Sequence, residues 1–115
     1  MSTIVPTGVK CPGQDGASVV TWSAMATGDT GQAIENPVFA DRSVHVEGTF
    51  GGATVTILGS NDGTNYYTLN DPQGNPLTFT SARLEQILEI TRYIKPQVTA
   101  GAGSGLKVSL LVVRK

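Results

Sequence analysis

Few side chains in this sequence could carry out acid–base or metal chemistry. His45 is the single histidine, and Glu47 follows two residues later, the spacing that puts two side chains on one face of a strand. No second histidine is present to complete a catalytic metal triad. Ser, His and Asp residues all occur, but no G-x-S-x-G motif orders them as a nucleophile and its base. We therefore predict a protein without enzymatic activity.

Three further motifs resemble binding sites but are better explained as turns. Residues 61–65, NDGTN, carry some oxygen ligands of a calcium loop but lack its alternating acidic residues and closing glutamate. The pair Gly51-Gly52 and the run GAGSG at 101–105 are not followed by a helix pattern, which a phosphate-binding loop requires. Cys11 is the only cysteine, so an intrachain disulfide and a cysteine-cluster metal site are excluded. We expect no cofactor and no bound metal.

Length and charge restrict the classes of protein that remain. A chain of 115 residues makes one domain. Eight Lys and Arg residues nearly balance nine Asp and Glu residues, so the chain has no strong positive electrostatic field that would attract nucleic acid. No apolar run approaches the roughly 18 residues of a membrane span, and the first residues lack a signal-peptide pattern. We expect a soluble protein that binds neither nucleic acid nor membrane and assembles in a reducing cytoplasm.

The strongest backbone signal runs through residues 43–69. Residues 43–50 alternate between apolar and polar types, the pattern of a half-buried strand. Gly51-Gly52 predicts a tight hairpin turn, because glycine reaches positive φ without steric cost. Residues 53–59 are rich in Thr, Val and Ile, and after a run of turn formers a third strand begins at Tyr66. These features predict a three-strand antiparallel meander.

Other stretches add strands on both sides of this meander. Residues 19–25, VVTWSAM, form a strand in which Trp22 is the predicted core anchor. Residues 81–90 are ambiguous, because Ser81 could cap a helix turn with Leu84, Ile87 and Leu88 at helical spacing; we favour a turn as far as Leu84 and then a strand. Pro96 has no backbone N–H to donate to a neighbouring strand, so we expect it at an edge position or a bulge. The last strand is apolar on both faces, with Leu111 and Val113 on the outer one, so it is either central or covered by a partner.

The number and spacing of these strands predict the fold class. Eight or nine short strands separated by turn signals are typical of an all-β protein. We predict a two-sheet antiparallel jelly-roll-like β-sandwich over residues 18–115, with an immunoglobulin-like sandwich as the alternative. Residues 1–17 are predicted to form an extended N-terminal arm with at most one short edge strand. This arm is either disordered or ordered only against a partner surface.

Two stretches of the chain resemble a family of small virion proteins of tailed phages. They are VEGTFGGATVTILGSNDGTNYYTLNDPQGNPLTF and RYIKPQVTAGAGSGLKVSLLVVRK. In that family a strand ending in G-[TS]-F-G-G-A precedes G-S-N-D-G-T-N-aromatic, a D-P-x-G-N turn and a late R-Y-[IV]-[KR]-P segment. The matching positions here are 48–53, 59–66, 71–75 and 92–96. The resemblance extends over residues 43–115, and its specificity lies in the order of the motifs.

The chain is similar to the jelly-roll cement, or decoration, proteins of short-tailed double-stranded DNA bacteriophages. This resemblance implies a non-enzymatic structural protein that is assembled in the host cytoplasm and located in the virion, on the outer surface of an icosahedral capsid. It implies two partners, the major capsid protein and a second copy of the chain, with a symmetric homodimer favoured. Such pairs staple neighbouring capsid proteins together and so stabilise the capsid.

The residues that would make these contacts are hypotheses from the sequence. We expect residues 2–12, with Ile4, Val5 and Pro6, to order on the capsid, and the outer face carrying Leu111 and Val113 to be covered in a symmetric dimer.

A glycan- or receptor-binding module of a phage tail or fibre is the alternative function. The SNDG turn resembles one found in galactose-binding-like jelly rolls, and an exposed tyrosine beside it could stack on a sugar. Tyr67 comes two residues before Leu69, so in a strand both side chains lie on the same face and Tyr67 is expected to point inward. Tyr66 is then expected to be the exposed ring.

Overall fold

The computed structural model describes residues 2–11, 16–35 and 39–114, and within them the chain forms strands and turns. The strands are β1 (Thr3–Ile4), β2 (Thr7–Lys10), β3 (Ala17–Met25), β4 (Thr30–Gly31), β5 (Ile34–Glu35), β6 (Phe39–Thr49), β7 (Thr54–Ser60), β8 (Tyr67–Thr68), β9 (Thr78–Phe79), β10 (Arg83–Gln86), β11 (Tyr93–Thr99) and β12 (Ser104–Arg114). No helix in the described ranges is long and apolar enough to cross a membrane.

The strands form two sheets that pack as a sandwich. The five-stranded sheet has the order β10-β6-β12-β3-β2. The seven-stranded sheet has the order β1-β4-β11-β7-β8, with β5 also beside β11 and β9 also beside β7. From β3 onward the chain passes between the sheets in the order of a jelly roll. The predicted all-β, two-sheet jelly-roll-like sandwich is therefore confirmed, although the described residues form twelve strands rather than the eight or nine predicted.

The core lies between the inward faces of the two sheets. Its largest fully buried side chains include Trp22, Phe79, Met25, Ile57 and Leu110. Trp22 is 1% exposed, and its indole N–H donates a 3.0 Å hydrogen bond to the carbonyl oxygen of Gln32. The prediction that Trp22 anchors the core is confirmed, and its one polar atom is satisfied there.

The last strand, β12, is central, which is one of the two alternatives that the sequence predicts. It pairs with β6 on one side and with β3 on the other, both antiparallel. Val108, Leu110 and Val112 point into the core and are buried. The opposite parity of the strand, which carries Leu111 and Val113, therefore lies on the outer face of the five-stranded sheet.

The turn at Gly51-Gly52 forms, but it does not make a hairpin. Gly51 and Gly52 have φ values of 55° and 83°, and the N–H of Ala53 donates to the carbonyl oxygen of Phe50 at 2.8 Å. β6 and β7, however, belong to different sheets. The predicted three-strand meander is wrong, although β7 and β8 do pair antiparallel. The turn geometry is local, whereas the sheet that each strand joins depends on distant partners.

Pro96 lies in β11, an interior strand, so the prediction of an edge position or a bulge is wrong. Pro96 lies opposite Ile57 of β7, which makes its backbone hydrogen bonds on the side away from Pro96. The N–H of Ile57 donates to the carbonyl oxygen of Leu77, and its carbonyl oxygen accepts from the N–H of Leu69. On its other side β11 pairs with β5 at residues 93–94 and with β4 at residue 97. Pro96 therefore faces the gap between these two short strands, where the missing N–H breaks no ladder bond.

The N-terminal residues add one strand to each sheet. β1 pairs in parallel with β4, and β2 pairs antiparallel with β3. The Ser2 N–H donates to the buried Asp29 carboxylate at 3.0 Å, and the N–H of Gln32 donates to the carbonyl oxygen of Ile4 at 2.8 Å. For residues 2–11, the prediction of a segment that is disordered or ordered only by a partner is wrong. A strand at the edge of a sheet has backbone N–H and C=O groups without partners. Residues 2–11 provide partners for such groups on β4 and on β3.

The expected limit of one edge strand in residues 1–17 is also wrong, because β1 and β2 both form there. Pro12, at the end of the predicted contact segment, lies outside the described residues.

The stretch at 81–90 forms a shorter strand than the sequence predicts. β10 begins at Arg83, before the predicted end of the turn, and stops at Gln86. After it, the N–H of Ile87 donates to the carbonyl oxygen of Arg42 at 3.0 Å, and the N–H of Leu88 donates to that of Asn70 at 2.8 Å. These two bonds hold residues 87–91 across one end of the sandwich.

Candidate functional site

The outer face of the five-stranded sheet carries a row of apolar side chains. Val9 of β2 is paired with Val19 of β3, and Val19 is paired with Leu111 of β12, so the three share one face. Val113 lies two residues further along β12, and Leu84 projects from β10 at the other edge. Val9 is 66% exposed and Leu84 is 65% exposed, while Leu111 and Val113 are half-buried. We call these five residues the apolar face.

Polar side chains of β6 lie between the row of Val9, Val19 and Leu111 and the exposed Leu84. The row through Val19 and Leu111 continues to Ser43 and then Gln86, and no side chain along it is charged. His45 and Glu47 share this side of the sheet, as their spacing predicts. Lys107 and Glu47 form an ion pair of 3.7 Å toward one end of the sheet. An apolar centre with polar groups around it is typical of surfaces that bind other proteins.

The N-terminal contact residues lie apart from Leu111 and Val113. Ile4 is half-buried and packs against the core, Pro6 is half-buried, and Val5 is exposed. They stand where the chain passes from β1 in one sheet to β2 in the other. The two sets of predicted partner-binding residues thus occupy different parts of the surface. Val9 lies within residues 2–12, which the sequence predicts to contact the capsid, but it belongs to the apolar face instead. One valine in a short polar segment gives no sequence signal for that position.

The two adjacent tyrosines have the reverse of their expected exposure. Tyr66 is half-buried, and the Lys95 Nζ lies 4.1 Å from the centre of its ring. Burial and the neighbouring Tyr93 raise the pKa of Tyr66. Tyr67 is 73% exposed, although it has the inward parity and pairs with the buried Gly59. The expectation that Tyr66 is the exposed ring is wrong. Tyr67 lies at the end of the sandwich, where residues 87–91 rather than a strand face it.

The space between Tyr67 and residues 87–91 is an open cleft of about 400 Å³. Its two sides come from distant parts of the chain. One side is formed by the end of β7, the loop that follows it and β8, and the other side by the segment after β10. The lining residues are 59–62, 65, 67–69, 89 and 91. The cleft offers an aromatic ring, two carboxylates, hydroxyl groups and side-chain amides within one concave surface.

Glu89 is fixed within this cleft by Asn70. One carboxylate oxygen accepts from the backbone N–H of Asn70 at 2.7 Å, and the other accepts from its side-chain amide at 2.6 Å. Burial acts to raise the pKa of Glu89, but the hydrogen bonds from Asn70 act against it, and the pKa lies below its ordinary value. Glu89 is therefore an ionised acceptor with a set orientation at neutral pH.

Asp62 organises the loop on the opposite side. Its carboxylate accepts hydrogen bonds from the backbone N–H groups of Thr64 and Asn65, at 2.8 and 2.9 Å, and from the hydroxyl of Ser60 at 2.9 Å. The side-chain amide of Asn65 donates to its second oxygen at 2.8 Å. These bonds hold the pKa of Asp62 far below its ordinary value. The SNDG segment is a turn, as the sequence predicts, and the structure shows that its own aspartate closes it.

Metal ligands are not clustered in the part of the chain that the structure describes. No group of three or more His, Cys, Asp or Glu side chains there is arranged to hold an ion.

The fold is similar to that of proteins of known structure. No protein-family model matches the chain, and no curated protein matches its sequence. The SPBc2 prophage-derived protein YomS has a similar structure, with a TM-score of 0.63 and 11% identity over 84% of this chain and 94% of YomS. This likeness shows a shared β-sandwich fold.

Two further solved structures are similar at lower scores. An RmlC-like cupin family protein from Methanocaldococcus jannaschii has a TM-score of 0.45 and 11% identity over 95% of this chain and 80% of its own. A structure of the disulfide-linked pili of Bacillus endospore appendages has a TM-score of 0.47 and 13% identity over 95% of this chain and 89% of its own. At these scores the likeness carries no argument about function.

Proposed function

We propose that this chain is a non-enzymatic structural protein of a bacteriophage virion. In this proposal it decorates the outside of an icosahedral head as a symmetric pair and links neighbouring major capsid proteins. The apolar face is the contact between the two copies. The exposed Val5, with Ile4 and Pro6 beside it, contacts the major capsid protein.

The apolar face is the observation that carries this proposal. Val9, Val19 and Leu111 form a continuous row across three strands, and Leu84 extends the apolar surface toward the other edge. Burying such surface against an identical sheet would release water from both copies, at about 25 cal/mol for each Å² of apolar area. A two-fold pair needs a self-complementary patch, and a sheet face whose row from Val9 to Gln86 carries no charge meets that need. The charged groups on this face, Asp41 beside Val113 and the Lys107–Glu47 ion pair, lie outside that row.

The fold comparison adds support for a phage origin. YomS, which is prophage-derived by its description, shares the sandwich over most of both chains. The ordered motifs of the sequence, which resemble those of phage decoration proteins, support the more specific role.

A decoration protein acts by binding the assembled shell more tightly than its separated parts. Such binding stabilises the shell by mass action. Pairing adds avidity, because once one half is bound the other half reaches its own site at a high effective concentration. Neither effect requires a catalytic group.

Co-sedimentation with tailed-phage capsids stripped of their decoration proteins tests the proposal. The wild-type protein should sediment with a shell in saturable fashion, at a fixed ratio to the major capsid protein, and raise the melting temperature of the shell. Analytical ultracentrifugation should give the mass of a dimer. Val5→Asp should weaken shell binding at least about tenfold without changing this mass.

Substitutions in the apolar face separate pairing from attachment. Leu111→Arg should give a monomer and, with avidity lost, weaker shell binding; Val9→Arg, at an exposed edge position, should do the same if Leu111→Arg fails to fold. The matched control is Leu58→Arg, since Leu58 is a half-buried leucine on the outer face of the other sheet. A folded wild-type protein that stays monomeric and binds no shell would refute the proposal.

A further inference from the structure

We infer that the cleft beside Tyr67 binds a neutral saccharide, with the Tyr67 ring as its stacking surface and Glu89 as a hydrogen-bond acceptor for sugar hydroxyl groups. This activity is independent of the proposed pairing and capsid attachment, because the cleft and the apolar face share no residue.

The size of the cleft suits a small ligand. Its volume of about 400 Å³ falls within the roughly 300–1,000 Å³ that is usual for small-molecule sites. It is open to solvent, so the terminal sugar of a longer chain can reach it.

Tyr67 provides the aromatic contact. A single exposed tyrosine is common on protein surfaces, but this one borders a concave polar site. Its backbone is held by the antiparallel pairing of β8 with Gly59 of β7. The face of an aromatic ring is electron-rich, and the C–H groups on one side of a pyranose ring carry partial positive charge, so the two surfaces attract and exclude water together.

Glu89 provides a directed polar contact. Its two oxygens each accept one hydrogen bond from Asn70, which fixes the carboxylate and leaves further lone pairs on both oxygens. A charged acceptor makes stronger hydrogen bonds to hydroxyl groups than a neutral one does. Because Asn70 already sets its orientation, little conformational entropy would be lost when a ligand binds.

The loop across the cleft is also preorganised. The Asp62 carboxylate closes the turn through Ser60, Thr64 and Asn65. The Asn61 side-chain oxygen accepts from the backbone N–H of Arg92 at 3.1 Å, which ties the loop to the start of β11. The amide group of Asn61 therefore stands in a set position at the edge of the cleft, where it can donate to a hydroxyl oxygen.

Charge restricts the class of sugar. The charged residues among those that line the cleft are Asp62 and Glu89, and both are acidic. A carboxylated, sialylated or phosphorylated sugar would be repelled, whereas the hydroxyl groups of a neutral sugar can donate to these acceptors. The ligand class that fits is therefore an uncharged hexose or N-acetylhexosamine.

Backbone amide NMR of the full chain tests this inference. Galactose, glucose, mannose, N-acetylglucosamine and their disaccharides are added in turn at millimolar concentrations, in parallel with glucuronic acid, N-acetylneuraminic acid and arginine. At least one neutral sugar should shift the amides of residues 60–69 and 87–91 in saturable fashion. The acidic sugars and arginine should not shift them.

Two adjacent tyrosines give a matched pair of variants. Tyr67→Ala should raise the Kd for that sugar at least about tenfold, whereas Tyr66→Ala should change it less than about twofold. Glu89→Gln, which keeps the shape of the side chain and removes its charge, should lessen the discrimination against glucuronic acid. The inference is overturned if no neutral sugar binds, if binding survives Tyr67→Ala, or if only arginine or an acidic sugar binds this cleft.

Discussion

Substitution of Gly31 by alanine should strongly destabilise the sandwich. Gly31 is buried in β4, between β1 and β11. A Cβ atom built there would lie 2.5 Å from Cδ and 2.7 Å from Cγ of Pro96, and 2.8 Å from Cδ1 of Trp22. Non-bonded carbon atoms are comfortable at about 3.5–4.0 Å, so these neighbours would have to move by about 1 Å.

Neither neighbour can move easily. The Pro96 ring is part of the backbone of β11, and Trp22 is 1% exposed and tethered to the carbonyl oxygen of Gln32. The added methyl group would contribute only about 0.8 kcal/mol by its burial. Overpacking of a well-packed core costs typically 1–3 kcal/mol and occasionally more. Because this clash involves two constrained rings, we expect a loss of about 3 kcal/mol in the free energy of unfolding.

Urea denaturation followed by the fluorescence of Trp22, the single tryptophan, measures this loss. Gly8→Ala in β2 is the control, since a Cβ there meets no atom within 4 Å, and we expect a change within about 0.5 kcal/mol or a slight gain. The double variant Gly31→Ala/Pro96→Ala should recover part of the loss through a favourable coupling energy. If Gly31→Ala is as stable as Gly8→Ala, the close approach of β4 to β11 is refuted.

Three further substitutions concern carboxylates that accept hydrogen bonds from backbone N–H groups. Asp29→Asn should cost about 1–3 kcal/mol by urea denaturation, because Ser2 and Ala26 donate to different oxygens of Asp29 and an amide keeps only one. Asp71→Asn should cost less, since Gln73 and Asn75 both donate to the same oxygen; equal losses would contradict this reasoning. The pKa of Glu89 lies below its ordinary value of 4.5, so its ionised form stabilises the fold above the unfolded-state pKa, and that contribution is lost as the pH falls through the folded-state pKa. The stability difference between wild type and Glu89→Gln should therefore shrink on acidification, and a difference that stays constant from neutral pH to about pH 3 would contradict the hydrogen-bonded role of Glu89.

Only one wall of the candidate cleft could be predicted from the sequence. The turn formers at residues 60–63 and the tyrosines beside them were recognisable from residue types alone. The opposite wall was not, because Glu89 and Thr91 reach the cleft only after β10 ends at Gln86 and the chain crosses the end of the sandwich. Parity placed the Tyr67 side chain on the inner side of its strand, but parity does not tell where the core ends.

Residue types and their spacing are enough to predict the all-β class, the two-layer sandwich, the turn at Gly51-Gly52, the burial of Trp22 and the two apolar faces of β12. Each depends on alternation or turn chemistry within a few residues. The folded chain was needed to show that β6 and β7 lie in different sheets, that β1 and β2 join the sandwich, and that Pro96 fits an interior strand. These features depend on backbone pairing between residues far apart in the chain, and such pairing is set by which edges and inner faces remain to be covered once the local elements have formed.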